Sequence, residues 1–457
     1  MTDTVYDMVI LGAGSGGYAA ALRGAQLGLR VALIEADKIG GTCLHRGCVP
    51  TKAILHSAET AEAVREAAAV GVRAAYQGLD MPAVQRYKNG VISRMYKGLQ
   101  GLVASRGIEV VGGWGRLLAR DTVEVSGRRY RGRNIVLASG SLSKTMGQEI
   151  SGPVMTSDQV LELDHVPASA VVLGGGVIGV ELASAWASMG SRVTIIEALP
   201  HLVPNEDEAI SKQLERAFRK RRIAFRTSTM FESVERTAAG VTVRTADGRT
   251  HDAEVLLIAV GRGPATANLG YEEVGVAMDR GFVLTDDYGR TNVEGVWAVG
   301  DIVPGVQLAH RGFAQGIAVA EKIAGLDPRP VDDALVPKVT FCEPEIASVG
   351  LSEARAAELH GAENVTTSEF NVAGNAKSQI LGTQGFVKLV SLKGGPIVGF
   401  HAIGARMGEQ VGEGQLIVSW EADAHDVASL VHAHPTQNET IGEAAMVLAG
   451  KPLHNHG

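Results

Sequence analysis

Two stretches of this chain repeat one another at a constant offset. Residues 6–36 read YDMVILGAGSGGYAAALRGAQLGLRVALIEA, and residues 168–198 read ASAVVLGGGVIGVELASAWASMGSRVTIIEA. Gly12, Gly14, Gly17 and Glu35 of the first recur as Gly174, Gly176, Gly179 and Glu197 of the second, and Gly28, Arg30 and Val31 recur as Gly190, Arg192 and Val193. Each copy is an apolar strand, a glycine turn, a helix of small residues, a second apolar strand and an acid. That order predicts a βαβ unit in a parallel sheet, and hence an α/β fold with two Rossmann-like dinucleotide-binding domains. The first glycine permits the tight turn, the second lets the backbone approach a pyrophosphate, and the third lets the helix pack on the sheet. The helix then points unpaired N–H groups and its positive dipole end at the phosphates. The spacing from third glycine to acid is the same in both copies, Gly17 to Glu35 and Gly179 to Glu197, and it lets the acid accept hydrogen bonds from a ribose. No arginine immediately follows either acid, which favours NAD over NADP. Two such modules imply two dinucleotides and a redox enzyme that passes electrons between them.

A third signal is TNVEGVWAVGD, Thr291 to Asp301, an apolar strand ending in Gly-Asp at a turn. The chain has 457 residues, more than one hydrophobic core usually serves, so two to four domains are expected. Its 57 glycines fit a backbone that approaches ligands closely. A net charge of -7 leaves no electrostatic footprint for nucleic acid. The one basic run, Arg219-Lys220-Arg221-Arg222, ends an amphipathic stretch and reads as a solvated helix terminus. The first residues, MTDTVYDMVILGAG, carry no basic n-region or cleavage site, and no apolar stretch of membrane-spanning length escapes interruption. A cytoplasmic protein that meets no membrane is expected.

The stretch GGTCLHRGCVPTKAIL holds Cys43 and Cys48, two of only three cysteines; the third, Cys342, is distant. So few cysteines exclude a disulfide-stapled scaffold, and without a second pair a zinc knuckle does not fit, so no metal is expected. A bridge across so short a loop would add little chain-entropy stabilisation, so thiol exchange suits the pair better than a structural role. The segment after Cys48 reads as a helix with a proline near its start. Its dipole and Lys52 are expected to favour a thiolate.

Near the other end, HAHPTQNETIGEAA places His434 and Glu439 close together across a proline. A carboxylate that holds one imidazole nitrogen while the other moves a proton would serve a thiol substrate. His432 competes with His434 on spacing alone, and a solvent-exposed histidine beside a glutamate is the blander reading. The tail histidines His454 and His456 read as an unstructured terminus rather than a metal site.

Taken together these motifs resemble the pyridine nucleotide-disulfide oxidoreductases of the glutathione reductase type, over nearly the whole length. Within that family the resemblance is to the branch that oxidises dihydrolipoamide, the third component of 2-oxoacid dehydrogenase complexes. GGTCLHRGCVPTKA is similar to the redox-active disulfide motif, GGGVIGVE to the NAD motif, VWAVGD to the second FAD motif, the LAH of residues 308–310 to the flavin-edge segment, and HPTQNE to the catalytic His-Glu motif. The resemblance implies an FAD-binding domain in residues 1–150 and 271–335, an NAD-binding domain in 151–270, and a C-terminal α+β dimerisation domain in 336–457.

It also implies roles. Gly12, Gly14, Gly17 and Glu35 would hold the ADP half of FAD, Asp301 the ribitol, and Gly113, Ser139, Gly140 and Ser141 would pass near the cofactor. Ala309 and His310 would meet the flavin ring through the backbone. Gly174, Gly176, Gly179, Glu181, Glu197 and Gly261 would line the NAD side. Cys43 would exchange with dihydrolipoamide, Cys48 would face the flavin, Lys52 paired with Glu181 would tune it, and Glu439 would orient the base His434. In this family that histidine serves the other subunit, so a homodimer is implied. No lipoyl domain is expected before Tyr6, so the lipoyl group would arrive on an E2 protein or a glycine-cleavage carrier protein. The chain departs from the family pattern at Asn438, where serine is common, at Gln315, where many relatives have glutamate, at Ala265, where asparagine is usual, and after Ser141, where a proline is missing. Glutathione and trypanothione reductases would carry basic residues near Glu197, and mercuric reductase a cysteine pair near its end; neither is present. A non-catalytic scaffold would lack the cysteines or His434. A flavin-dependent NAD(P)H:quinone reductase, which needs no disulfide, or another disulfide reductase of the same family remains the alternative.

Overall fold

A computed structural model of the chain describes residues 5–455, so His456 lies outside the described residues. Those residues form two compact units. One gathers the chain through Ile54 with Pro82–Lys144 and Gly261–Asp333; the other gathers Leu55–Met81, Thr145–Val260 and the chain from Ala334 onward.

The first unit is built on five parallel strands, in the order Glu109–Gly112, Val31–Glu35, Val5–Leu11, Arg128–Leu137 and Val296–Ala298. An antiparallel hairpin, Gly115–Ala119 and Thr122–Val125, extends the sheet beside Arg128–Arg131. The inner strands are apolar at nearly every position because both faces are covered: Met8, Val9, Ile10, Leu33 and Ile34 are fully buried. Each such side chain contributes about 1.5–3 kcal/mol on leaving water. The helix Ser15–Gln26 packs on the helix Ala309–Ile323 through small residues, and a Cβ at Gly316 would collide with the Gly16 carbonyl. This packing brings two helix starts, Ser15 and Ala309, into the same unit.

The second unit holds the other copy of the repeat. Parallel strands Ala224–Arg226, Arg192–Ile196, Ser169–Leu173, Val255–Ile258 and Val154–Met155 lie in that order. The helix Val177–Met189 follows the first strand of the motif, and its first residue occupies the place in this copy that Ser15 holds in the other. A five-stranded antiparallel sheet, in the order Lys338–Thr340, Glu345–Gly350, Ile397–Gly404, Phe386–Leu392 and Val365–Asn371, makes the C-terminal part. Helices Met407–Ser419 and Glu439–Leu448 cover it and bury Val411, Ile417, Ile441 and Ala444 in one core with Leu389 and Phe400. Inside this unit Lys388 joins Asp207, the N-cap of the helix Glu208–Lys220, at 2.8 Å, and Glu353 at 2.7 Å.

Candidate active site

Both glycine turns are closed in the same way. Gly12 and Gly174 take φ of 105° and 100°, open to glycine alone at little strain. A Cβ at Gly17 or Gly179 would strike the carbonyl of Gly12 or Gly174. Gly14 and Gly176 are the N-caps of the two helices, neither supplies a side-chain cap, and a Cβ on either would meet nothing within 4 Å. Each cradle therefore presents uncapped helix N–H groups to open space, the geometry that suits a pyrophosphate.

The two acids also serve the loops themselves. Glu35 accepts from Ala13 N at 2.8 Å and from Asp37 N at 2.9 Å; Glu197 accepts from Gly175 N at 2.6 Å and from Leu199 N at 2.7 Å. Ala13 and Gly175, like Asp37 and Leu199, are equivalent positions of the repeat. A carboxylate has about four lone-pair directions. Holding the loop leaves each acid able to accept from a ribose as well. Gly113, at φ 139°, donates to the carbonyl of Glu35 at 2.8 Å and so borders the first cradle.

Asp301 follows the strand Val296–Ala298 at the sheet's carboxyl end. Ser141 Oγ donates to its Oδ2 at 2.5 Å, and Gly300 N donates to Gln315 Oε1 at 2.9 Å, which steadies the turn. Gln315 thus does with a neutral acceptor what this turn needs. Asp301 Oδ1 takes no hydrogen bond from the described residues, leaving it for a ligand hydroxyl. Ser139 receives the Tyr271 hydroxyl at 3.0 Å, and the Gly140 carbonyl accepts from Ala265 N at 2.9 Å. Ala309 and His310 open the helix Ala309–Ile323, whose N-cap, Leu308, has no side chain to cap it. Gly261, at φ 100°, accepts from Lys144 N at 3.0 Å.

Sequence reasoning missed Arg262. It donates to Ser141 Oγ at 2.8 Å, to the Ser141 carbonyl at 2.7 Å and to Ser143 Oγ at 3.1 Å. The strands Ser141–Ser143 and Arg262–Pro264 pair antiparallel beside it. The charge of Arg262 thereby reaches Asp301 through one serine, a link that residue spacing does not reveal.

Cys43 lies in the helix Gly41–Arg46, and Cys48 opens the helix Cys48–Glu66 after Gly47. Gly40 N donates to the Ala13 carbonyl at 2.8 Å, and a Cβ at Gly41 would come within 2.6 Å of Gly14 Cα. The cysteine segment is therefore docked on the first glycine loop. The two sulfurs hydrogen-bond each other. That bond is the first cause raising the Cys43 thiol above its ordinary range, followed by burial and by charge on Cys48; Lys52 pulls it down and is outweighed. Lys52 acts on Cys43 in the direction expected of a nearby positive charge, lowering its pKa, and the neighbouring sulfur and burial outweigh it there. Two touching thiols resist ionising together, because a charge on one sulfur opposes a charge on the other. Tyr18 senses the same pair: burial first, then the charges of Cys43 and Cys48, push its phenol to about 12.

In the second unit, His434 Nδ1 lies 2.8 Å from Glu439 Oε1, and Thr436 N donates to Glu439 Oε2 at 2.8 Å. Burial pushes the Glu439 carboxyl up, but the Thr436 N–H and the His434 bond outweigh it and hold it below the usual carboxylate value. With Nδ1 taken, Nε2 is the nitrogen left to move a proton. Glu181 is buried and accepts from Phe341 N at 2.9 Å. Cys342 is buried, and burial first, then the charge of Glu181, raises its thiol well above the ordinary value, so it stays inert. No group of three or more metal-ligating side chains occurs among the described residues, and no helix there is long and apolar enough to cross a membrane.

Comparison with known proteins matches residues 6–316 to the family described as pyridine nucleotide-disulphide oxidoreductase, and residues 336–445 to the dimerisation domain of that family. A dihydrolipoyl dehydrogenase of Bacillus subtilis is 37% identical, with 99% of each chain covered, and the mitochondrial dihydrolipoyl dehydrogenase of Pisum sativum is 36% identical, covering 98% of this chain and 92% of that one. Among solved structures, LpdA from Mycobacterium tuberculosis aligns with a TM-score of 0.90 at 27% identity, over 96% of this chain and 99% of that one. The HOCl-induced flavoprotein disulfide reductase RclA from Escherichia coli aligns at 0.87 and 27%, over 97% and 100%. With two glycine cradles, a touching cysteine pair and this match along nearly its full length, the chain belongs to the pyridine nucleotide-disulphide oxidoreductase family.

Proposed function

We propose that this chain is a dihydrolipoyl dehydrogenase: it oxidises the dihydrolipoyl group of a carrier protein to the cyclic disulfide and reduces NAD, through the Cys43 and Cys48 pair and FAD. The observation that carries the reading is the cysteine pair, two sulfurs in mutual contact at a helix start, tied by Gly40 to the first glycine loop. The first cradle fits FAD, with the uncapped helix start at Gly14 for the pyrophosphate, Glu35 for the ribose and Asp301 Oδ1 for the ribitol. The second fits NAD, with Gly176 and Glu197 in the same places. Bound FAD supplies a two-electron carrier between the sulfurs and the nicotinamide.

The chemistry balances with the groups that two copies of this chain supply. His434 takes a proton from one substrate thiol, and the thiolate attacks Cys43 of the oxidised pair. The Cys43–Cys48 bond breaks, a mixed disulfide forms, and Cys48 leaves as a thiolate. The second substrate thiol then attacks the substrate sulfur of the mixed disulfide, which releases lipoamide and returns the electron pair of the broken bond to Cys43. Two electrons now rest on the cysteine pair, to leave as hydride on NAD. The raised Cys43 thiol fits a sulfur that takes up the proton of the second substrate thiol as the mixed disulfide resolves. Glu439 orients His434 throughout.

A homodimer belongs to the same reading, supported by the match of residues 336–445 to a dimerisation domain, with His434 serving the partner's cysteine pair. So does the division into FAD parts at 1–150 and 271–335, an NAD part at 151–270 and a dimerisation part from 336. A lipoyl-bearing E2 or glycine-cleavage carrier protein is the expected partner. A reducing cytoplasm suits a dithiol pair in a chain with only three cysteines. The substitution Cys48→Ser separates this from a quinone reductase. Dihydrolipoamide oxidation is expected to fall to background while NADH-driven quinone reduction survives; dihydrolipoamide oxidation that survives would end the reading.

A further inference from the structure

A second histidine–carboxylate pair stands beside the His434–Glu439 pair, and no step above uses it. His432 Nε2 lies 2.7 Å from Glu413 Oε1, and Asn438 Nδ2 donates to Glu413 Oε2 at 2.7 Å. Glu413 belongs to the helix Met407–Ser419, while Asn438 is the N-cap of the helix that begins with Glu439. One carboxylate therefore clamps the residue two before the base and the residue just before its orienting acid. The His432 ring lies against that helix at Gly442, where a Cβ would come within 2.6 Å of Nδ1, so only a glycine leaves it room. The two histidines differ in setting: the His432 side chain is 13% exposed and that of His434 71%.

The charged groups that face His432 are Glu413 from one helix and Glu439 from the other. The bond to Glu413 raises the imidazole above its ordinary range, burial opposes it, and the charges of Glu413 and Glu439 add to the rise. Burial pushes Glu413 up, but the bonds from His432 and Asn438 outweigh it and hold the carboxyl below the ordinary value. Glu439 in turn feels the positive charge of His432 as well as that of His434.

We propose that His432, clamped on Glu413, is a positioning residue for the His434–Glu439 base: with Asn438 it holds the turn that carries Glu439 and sets the charge around the base. This rests on the reading of His434 as the base. Asn438 is then the local counterpart of the clamp, long enough to reach Glu413 where serine is common in the family. A half-buried histidine that only filled space would affect stability and leave the pH dependence of turnover untouched.

The test uses the FAD-loaded dimer and follows dihydrolipoamide oxidation with NAD across a pH series, for the wild type, His432→Gln and Asn438→Ala. In His432→Gln, kcat is expected to fall about ten-fold with KM for dihydrolipoamide changed less than about two-fold. The acidic limb of the kcat profile is expected to move up by about half a pH unit, because a positive charge has left the surroundings of the proton-accepting site. Asn438→Ala loosens the turn and leaves the charge, so kcat falls less and the limb stays. If His432→Gln fails to retain flavin, the fall in kcat of Asn438→Ala carries the test. Wild-type kcat and an unmoved limb in folded His432→Gln overturn the proposal, as does a fully active Asn438→Ala when that variant carries it. A lower melting temperature with unaltered kinetics reduces His432 to structure and overturns it too. A wild type inert toward dihydrolipoamide defeats the parent reading, whereas an active wild type with unaltered variants defeats this proposal alone.

Discussion

Glu197 accepts a hydrogen bond from Gly175 N at 2.6 Å, and in the other copy of the repeat Glu35 accepts from Ala13 N at 2.8 Å. Each acid fixes its own glycine loop, so under the proposed function loop shape and ribose recognition would depend on one side chain. Glu197→Ala should raise KM for NAD by about ten-fold or more with a smaller effect on kcat, since a charge-assisted hydrogen bond is worth roughly 1.5–3 kcal/mol. Glu35→Ala should instead release FAD. Steady-state kinetics on one variant and flavin absorbance after gel filtration of the other check the division, and a swap of the two phenotypes would contradict it.

Arg262 and Asp301 both meet the hydroxyl of Ser141, at 2.8 and 2.5 Å. Ser141→Ala cuts both links at once and leaves Asp301 without its donor. Flavin retention during dialysis should fall about ten-fold, with Arg262→Met giving a similar loss. Unchanged retention in both variants would show that Asp301 needs no such support.

Asp207 gives a pH dependence with a definite sign. Burial alone would raise its carboxyl, but the bond from Lys388, the Glu353 N–H and nearby positive charge more than offset it, so its folded pKa lies below the ordinary value. A depressed carboxyl stabilises the fold above its unfolded pKa, and that contribution disappears as pH falls through the folded value. Asp207→Asn should therefore cost roughly 3–5 kcal/mol near neutral pH, as expected for breaking a buried pair, and progressively less below about pH 4. Thermal melts of both proteins across that range check it; a gap that does not close in acid would point to packing rather than charge.

The repeat was legible from spacing because each βαβ turn is set by residues close in sequence, and Gly12, Gly14 and Gly17 act on one another over a few positions. The family was legible because its motifs are local and come in a fixed order. The partners of those motifs were not. Arg262 meets Ser141 from far along the chain, and Glu413 meets His432 from the helix Met407–Ser419, so neither contact is marked by a local motif. Lys52 drew attention because it lies near the cysteines in sequence. At Cys43, however, the neighbouring sulfur outweighs it, a consequence of proximity that spacing could not rank.

The central claim is that Cys43 and Cys48 carry electrons from dihydrolipoamide toward NAD. Anaerobic titration of the FAD-loaded dimer with dihydrolipoamide, followed by addition of NAD, tests it most directly. The account predicts a long-wavelength absorbance from the Cys48 thiolate against the flavin, which disappears as NADH forms. A flavin spectrum unmoved by dihydrolipoamide, with no NADH after NAD is added, would contradict it.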